Sequence, residues 1–125
     1  MVTFTVSGRV DMREAVSVAD AFHRRRTVDK AIWDFTSADT SELTIRDMLA
    51  AYGPERGFRP SARRRYTAIL VRDDLQLNLA RVFQAVAEMK GSPVQFGFFI
   101  TARQARGWLE SMTAERQIRA MRRAR

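Results

Sequence analysis

The side chains of this sequence that could do chemistry are few, and their spacing matches no catalytic template. Asp73 and Asp74 form the one adjacent carboxylate pair that acid/base work could use. Two acids standing directly before the helical repeat that begins at Leu75 are also what a helix start requires, since a carboxylate there accepts the unpaired amides of the first turn. His23, the single histidine, follows Asp20 and precedes Arg24, Arg25 and Arg26. Three neighbouring cations disfavour its protonation, and it reads as a surface residue. Zero cysteines remove disulfides and thiol chemistry and, with one histidine, most transition-metal sites. No GxGxxG, GxxxxGK[ST] or GxSxG stretch occurs, so the glycines that bring backbone against a phosphate or strain a nucleophile turn are missing. No enzymatic activity, cofactor or metal is expected.

Two other groupings remain. The run Thr36, Ser37, Asp39, Thr40, Ser41 and Thr44 is dense in hydroxyls and carboxylates, as a docking or phospho-acceptor turn would be. Thr40 or Ser41 could equally cap the helix that follows. Arg24, Arg25, Arg26, Arg63, Arg64 and Arg65 form two arginine triplets. The net charge is +8, and the segment from Glu115 to Arg125 holds five arginines against one glutamate, half of that excess. Without its tail the chain is only mildly basic. The 20 arginines against 2 lysines can reflect genome composition as easily as guanidinium recognition.

These groupings must be positioned by an alternating series of elements. Val2, Phe4 and Val6 alternate with threonines as a first strand that the Ser7–Gly8 turn closes, and Asp11 caps a helix whose Ala15, Val16, Ala19 and Phe22 share a face. A second strand runs from Lys30 to Phe35, followed by a polar turn from Thr36 to Ser41. Ile45, Met48, Leu49 and Tyr52 form the apolar stripe of a second helix, which Gly53 and Pro54 end. Gly53 to Arg64 is the longest loop and the one expected to be most mobile. Tyr66 to Val71 is the third strand. Leu75, Leu79, Val82, Val86 and Met89 recur at steps of four and three along a third helix, with Asp73 or Asp74 as its cap and Gly91 and Pro93 as its stop. Val94 to Ile100 reads as a buried strand, and Thr101 caps a last helix carrying Ala105, Trp108, Leu109 and Met112.

Four strands alternating with four helices predict an α/β fold: an open, mostly parallel four-stranded sheet flanked by helices, in the order β-α-β-α-β-α-β-α. The 125 residues divide into one domain over residues 1–113 and an arginine-rich helical extension or tail over 114–125. The topology gathers the hydroxyl-rich run at the rim where strands end, the usual ligand rim of open sheets, and the arginine triplets at the opposite rim.

The order of elements, together with LVRDDLQLNLARVFQAVAEMKGSPVQFGFFITARQARGWLE, resembles the SpoIIAA-like branch of the STAS superfamily over nearly the whole chain. Gly8 stands at the end of the first strand, Leu75, Leu79, Ala80, Arg81 and Phe83 fit the "dLxxgLARxF" helix, and Phe99, Ala105, Trp108 and Leu109 fit the terminal "F…eAxxWL" segment. The resemblance implies a non-enzymatic regulatory domain that binds another protein. In some members it is switched by phosphorylation in an Asp-Ser-Ser-Gly turn, to which Asp39-Thr40-Ser41-Glu42 is the nearest match, with Glu42 in place of the glycine and no second strand before Gly8.

The expected function is therefore a regulatory protein-binding module that uses the turn after the second strand. The alternative is an anion binder for acidic lipid, nucleic acid or an acidic protein, using the basic rim and the tail. Sequence-specific DNA binding is not expected, because the arginines do not line one helix face suited to the major groove. Neither a membrane span nor a secretory leader is visible, which predicts a cytoplasmic protein. The stripe of Ala114, Ile118 and Met121 lies opposite that of Ala105, Leu109 and Met112, which leaves it free to pair two copies as a homodimer.

Overall fold

The computed structural model describes the backbone of residues 1–23, 29–52 and 64–123, and the side chains of these apart from His23, Tyr52 and 113–123. The eight expected elements are present in the expected order: β1 Val2–Arg9, α1 Met12–His23, β2 Lys30–Asp39, α2 Ile45–Tyr52, β3 Arg65–Leu70, α3 Asp74–Met89, β4 Val94–Phe99 and α4 Ala102–Arg123. The strands form one sheet in the order β1-β2-β3-β4, every pair parallel. Sequential order with crossovers of a single hand stacks the intervening helices on one face. Accordingly Met12 and Val16 of α1, Met48 of α2, and Val86 and Ala87 of α3 pack together. On the other face Ala105 and Leu109 of α4 cover Ile32, Tyr66, Ala68 and Leu70.

Helix starts follow from local chemistry. The Asp11 carboxylate accepts the amides of Arg13 and Glu14 at 3.0 and 3.2 Å, Asp73 accepts that of Gln76 at 2.9 Å, and the Thr101 hydroxyl accepts that of Gln104 at 3.2 Å. β3, covered on both faces, is buried from Tyr66 to Leu70. β1 is covered on one face only, so Val2, Phe4 and Val6 turn inward while Thr3, Thr5 and Ser7 stay exposed.

Four expectations are corrected. The Ser7–Gly8 pair does not close β1, which continues to Arg9 with Gly8 at φ +69°. Thr36 to Ser41 is not a turn throughout, because β2 runs on to Asp39 through a register shift: Thr5 pairs with Asp34, but Ser7 pairs with Ser37. One extra residue in β2 makes this a bulge. At the bulge the Asp34 carboxylate accepts both the amide and the hydroxyl of Thr36, at 2.9 and 2.6 Å. On α2, Met48 is buried but Ile45 and Leu49 are 56% and 41% exposed. On α3, Leu75 and Met89 lie outside, and the buried positions are Gln76, Val86 and Ala87.

The Gly53–Arg64 loop falls outside the described residues as far as Arg63, as do Arg24, Arg25 and Arg26. No described helix is long and apolar enough to cross a membrane.

Candidate functional site

At the rim where β1 and β2 end, the extra residue in β2 reverses which side chains face the helices. Trp33 and Phe35 point that way before the bulge, and Thr40 lines the same interior space beyond it. Thr40 is thereby buried and anchors the turn, while Ser41 and Glu42 remain outside.

The Asp39 carboxylate accepts the Ser41 amide at 3.0 Å and the Ser41 hydroxyl at 2.6 Å. These bonds, the hydroxyl's foremost, hold its pKa below the ordinary 3.8, and the Arg9 and Arg72 charges add to the effect. Arg9 pairs with Glu42 across the mouth of the turn, with both side chains largely in water. Such a pair orients more than it stabilises. Between the start of α1 and this turn lies a charged cleft of about 400 Å³, to which Asp11, Arg13, Asp39, Glu42 and Asp47 contribute.

The cap of α2 is Thr44 and not Thr40 or Ser41. Thr44 and Asp47 form a reciprocal box in which the Asp47 amide donates to the Thr44 hydroxyl at 3.2 Å and the Thr44 amide to the Asp47 carboxylate at 3.0 Å. The six residues of the run thus have different situations. Thr36 is held by Asp34, Ser37 is exposed, Thr40 is buried, Thr44 caps a helix, and the Asp39–Ser41 pair stands at the surface. Immediately beyond it, Ile45 and Leu49 project one helical turn apart.

Asp73, one of the two acids considered for acid/base work, is the N-cap of α3. The Gln76 amide bonded to it lowers its pKa, with Arg72 assisting, which favours a steady acceptor over a proton donor. Among the described residues no group of three or more His, Asp or Glu side chains is arranged to hold a metal ion. On the opposite rim, Arg64 is exposed, and Lys30, Arg65 and Lys90 are half-buried. Arg24, Arg25, Arg26 and Arg63 lie outside the described residues.

Two features were missed in the sequence. Gln76, 3% exposed, is a polar residue within the buried face of α3. Its amide donates to the carbonyls of Phe35 at 2.9 Å and Ala38 at 3.3 Å, and its oxygen accepts the Arg72 amide at 2.7 Å. The Arg72 guanidinium reaches the Thr36 carbonyl at 3.3 Å. The carbonyls around the bulge therefore find partners on the α3 segment.

The second missed feature is a cavity of about 100 Å³ between the sheet and helices α1 to α3. Trp33, Ile69 and Val71 line it from the sheet, and Val16, Leu79 and Phe83 from the helices. Ala15, Ala19 and Ala80 also line it, and these small residues on inward helix faces were the available signal.

Comparison of the chain with protein-family models, with curated proteins and with solved structures finds no match.

Proposed function

We propose that this protein is a non-enzymatic regulatory module that docks another protein on the Asp39–Thr44 turn and the outward face of α2. The reading is the one implied by the resemblance to the SpoIIAA-like branch of the STAS superfamily. The observation that carries it is the pair Ile45 and Leu49. Two large apolar side chains one turn apart are held out of the core beside an exposed carboxylate–hydroxyl pair, Asp39 and Ser41. An apolar patch edged by polar groups that are already oriented is the usual composition of a protein interface. Phosphorylation of Ser41 would add charge beside Asp39 and Glu42 and displace the hydroxyl bond to Asp39, so the same surface can be switched.

The test is capture of partners from the native cell by the immobilised full chain, with Ile45→Asp, Leu49→Asp and Ser41→Asp beside the wild type. Both apolar positions are exposed, so the fold should tolerate the change, and circular dichroism checks this. Partners retained by wild type and lost by the α2 variants support docking here. The same set retained by all variants contradicts it, and a set that disappears for every form at raised ionic strength points instead to anion capture.

A further inference from the structure

We propose that the charged cleft between the start of α1 and the turn after β2 is the docking groove for the arginine-rich tail, residues 114–125, of a second copy of this chain. Val10, Leu43 and Ala50 give the cleft an apolar lining. Four carboxylates, Asp11, Asp39, Glu42 and Asp47, stand around it against two guanidiniums, so the cleft is acidic on a chain whose net charge is +8. Asp11, Asp39 and Asp47 each hold a backbone amide of their own turn or helix start through one carboxylate oxygen. The second oxygen of each has no hydrogen bond among the described residues, so it is an acceptor on a group already fixed in place.

Such a groove takes a basic amphipathic helix, and the chain carries one. Residues 114–125 hold five arginines against one glutamate, and Ala114, Ile118 and Met121 recur at the spacing of one helix face. The backbone is helical as far as Arg123. Ile118 and Met121 suit the apolar lining, and guanidiniums pair with carboxylates in a fixed, two-pronged geometry. A chain cannot fill its own cleft in this way. α4 starts just beyond the end of β4, at the rim that holds the cleft, and covers the face of the sheet opposite α1 and α2. Its 22 residues rise about 33 Å, against about 20 Å for the six residues of β4, so the tail leaves at the far rim and on the opposite face. The contact is therefore head to tail between copies. The groove shares the Asp39–Glu42 turn with the docking surface proposed above but not its apolar pair, since Asp47 and Leu49 stand about 200° apart around α2.

The test is complementation between two full-length variants, read by light scattering. Glu42→Arg with Ala50→Arg makes the cleft basic and obstructs its lining, and Ile118→Asp with Arg122→Glu alters the tail. Wild type should exceed the mass of one chain, and each variant alone should be monomeric. Their equimolar mixture combines one intact cleft with one intact tail and should reach the mass of two chains, which raised ionic strength should dissociate. Circular dichroism and cooperative melting check both folds; if Ala50→Arg does not fold, Glu42→Arg alone makes the same test.

A cleft variant that associates as wild type does, or a mixture that stays monomeric, would overturn the groove. Wild type that is monomeric at millimolar concentration would overturn the association itself. Leu49→Asp should leave the mass unchanged, which separates this result from that of the α2 docking surface. Loss of association in Leu49→Asp with none in the cleft variant would move the contact to α2 and overturn the proposal.

Discussion

The side-chain amide of Gln76 lies 2.9 Å from the carbonyl oxygen of Phe35, across 41 positions of sequence, and fastens the start of α3 to the bulge of β2. Pairing of β2 with β3 ends at Asp34, and beyond it the Phe35 and Ala38 carbonyls accept from the Gln76 amide, since a buried carbonyl without a donor is costly. Gln76→Leu keeps the approximate volume but removes both donors and the acceptor for the Arg72 amide. We expect a loss of about 2 kcal/mol in urea unfolding, from the price of unsatisfied buried groups. Gln76→Glu should be worse near neutral pH, since a carboxylate cannot donate to either carbonyl.

Gly97 gives a second test, on the other face of the sheet. A Cβ at this position would meet the Phe99 ring at 2.8 Å and the Trp108 ring at 3.1 Å. Gly97→Ala should therefore destabilise by about 1–3 kcal/mol through overpacking. A shift of similar direction should appear in Trp108 fluorescence. An unchanged thermal midpoint would show that α4 moves away freely.

The Asp39–Ser41 pair predicts a pH effect with a definite sign. The Asp39 pKa is depressed in the folded chain, so its contribution to stability is complete above the ordinary 3.8 and is lost as pH falls through the folded value. Ser41→Ala removes the largest cause of the depression. In a carboxyl-carbon NMR titration the Asp39 midpoint should rise toward 3.8, while that of Asp73, lowered by Gln76 instead, should not move.

The chain past Met112 supplies a fourth. α4 continues to Arg123, a helix of 22 residues, or about 33 Å at the rise of an α-helix. Sequence spacing sets Ala114, Ile118 and Met121 opposite the stripe that Ala105, Leu109 and Met112 turn to the sheet. We propose that a second copy covers this outer stripe. Removing residues 114–125 should then leave the fold intact and lower the mass measured by light scattering to that of a monomer. Equal masses with and without the tail would contradict dimerisation by this route.

What was legible in the sequence follows the range of the interactions involved. The caps Asp11, Asp73 and Thr101 act over two or three residues; the sequence singles out Asp11 and Thr101, and the structure chooses Asp73 over Asp74 for α3. The parallel sheet follows from alternation of elements, which is also a chain-local pattern. The far half of β2 was hidden because its geometry depends on a local Asp34–Thr36 bond together with a donor on α3. The α2 stripe was misread for a related reason. Ile45, Met48 and Leu49 satisfy the helical template equally, and only the placement of α2 decides that Met48 is buried and the other two are not. The cavity needed still more: the inward alanines of α1 and α3 had to be known to meet on the same face of the sheet.

The most direct measurement of the docking claim is photocrosslinking in the native cell, with a photoreactive residue placed singly at Leu49 and at Leu75. Both side chains are exposed, at 41% and 61%, but only Leu49 belongs to the proposed surface. A discrete crosslinked partner is expected from position 49, absent from position 75 and lost when Ser41→Asp is added. The same adducts from both positions, or none from position 49 while the protein is present and folded, would contradict it.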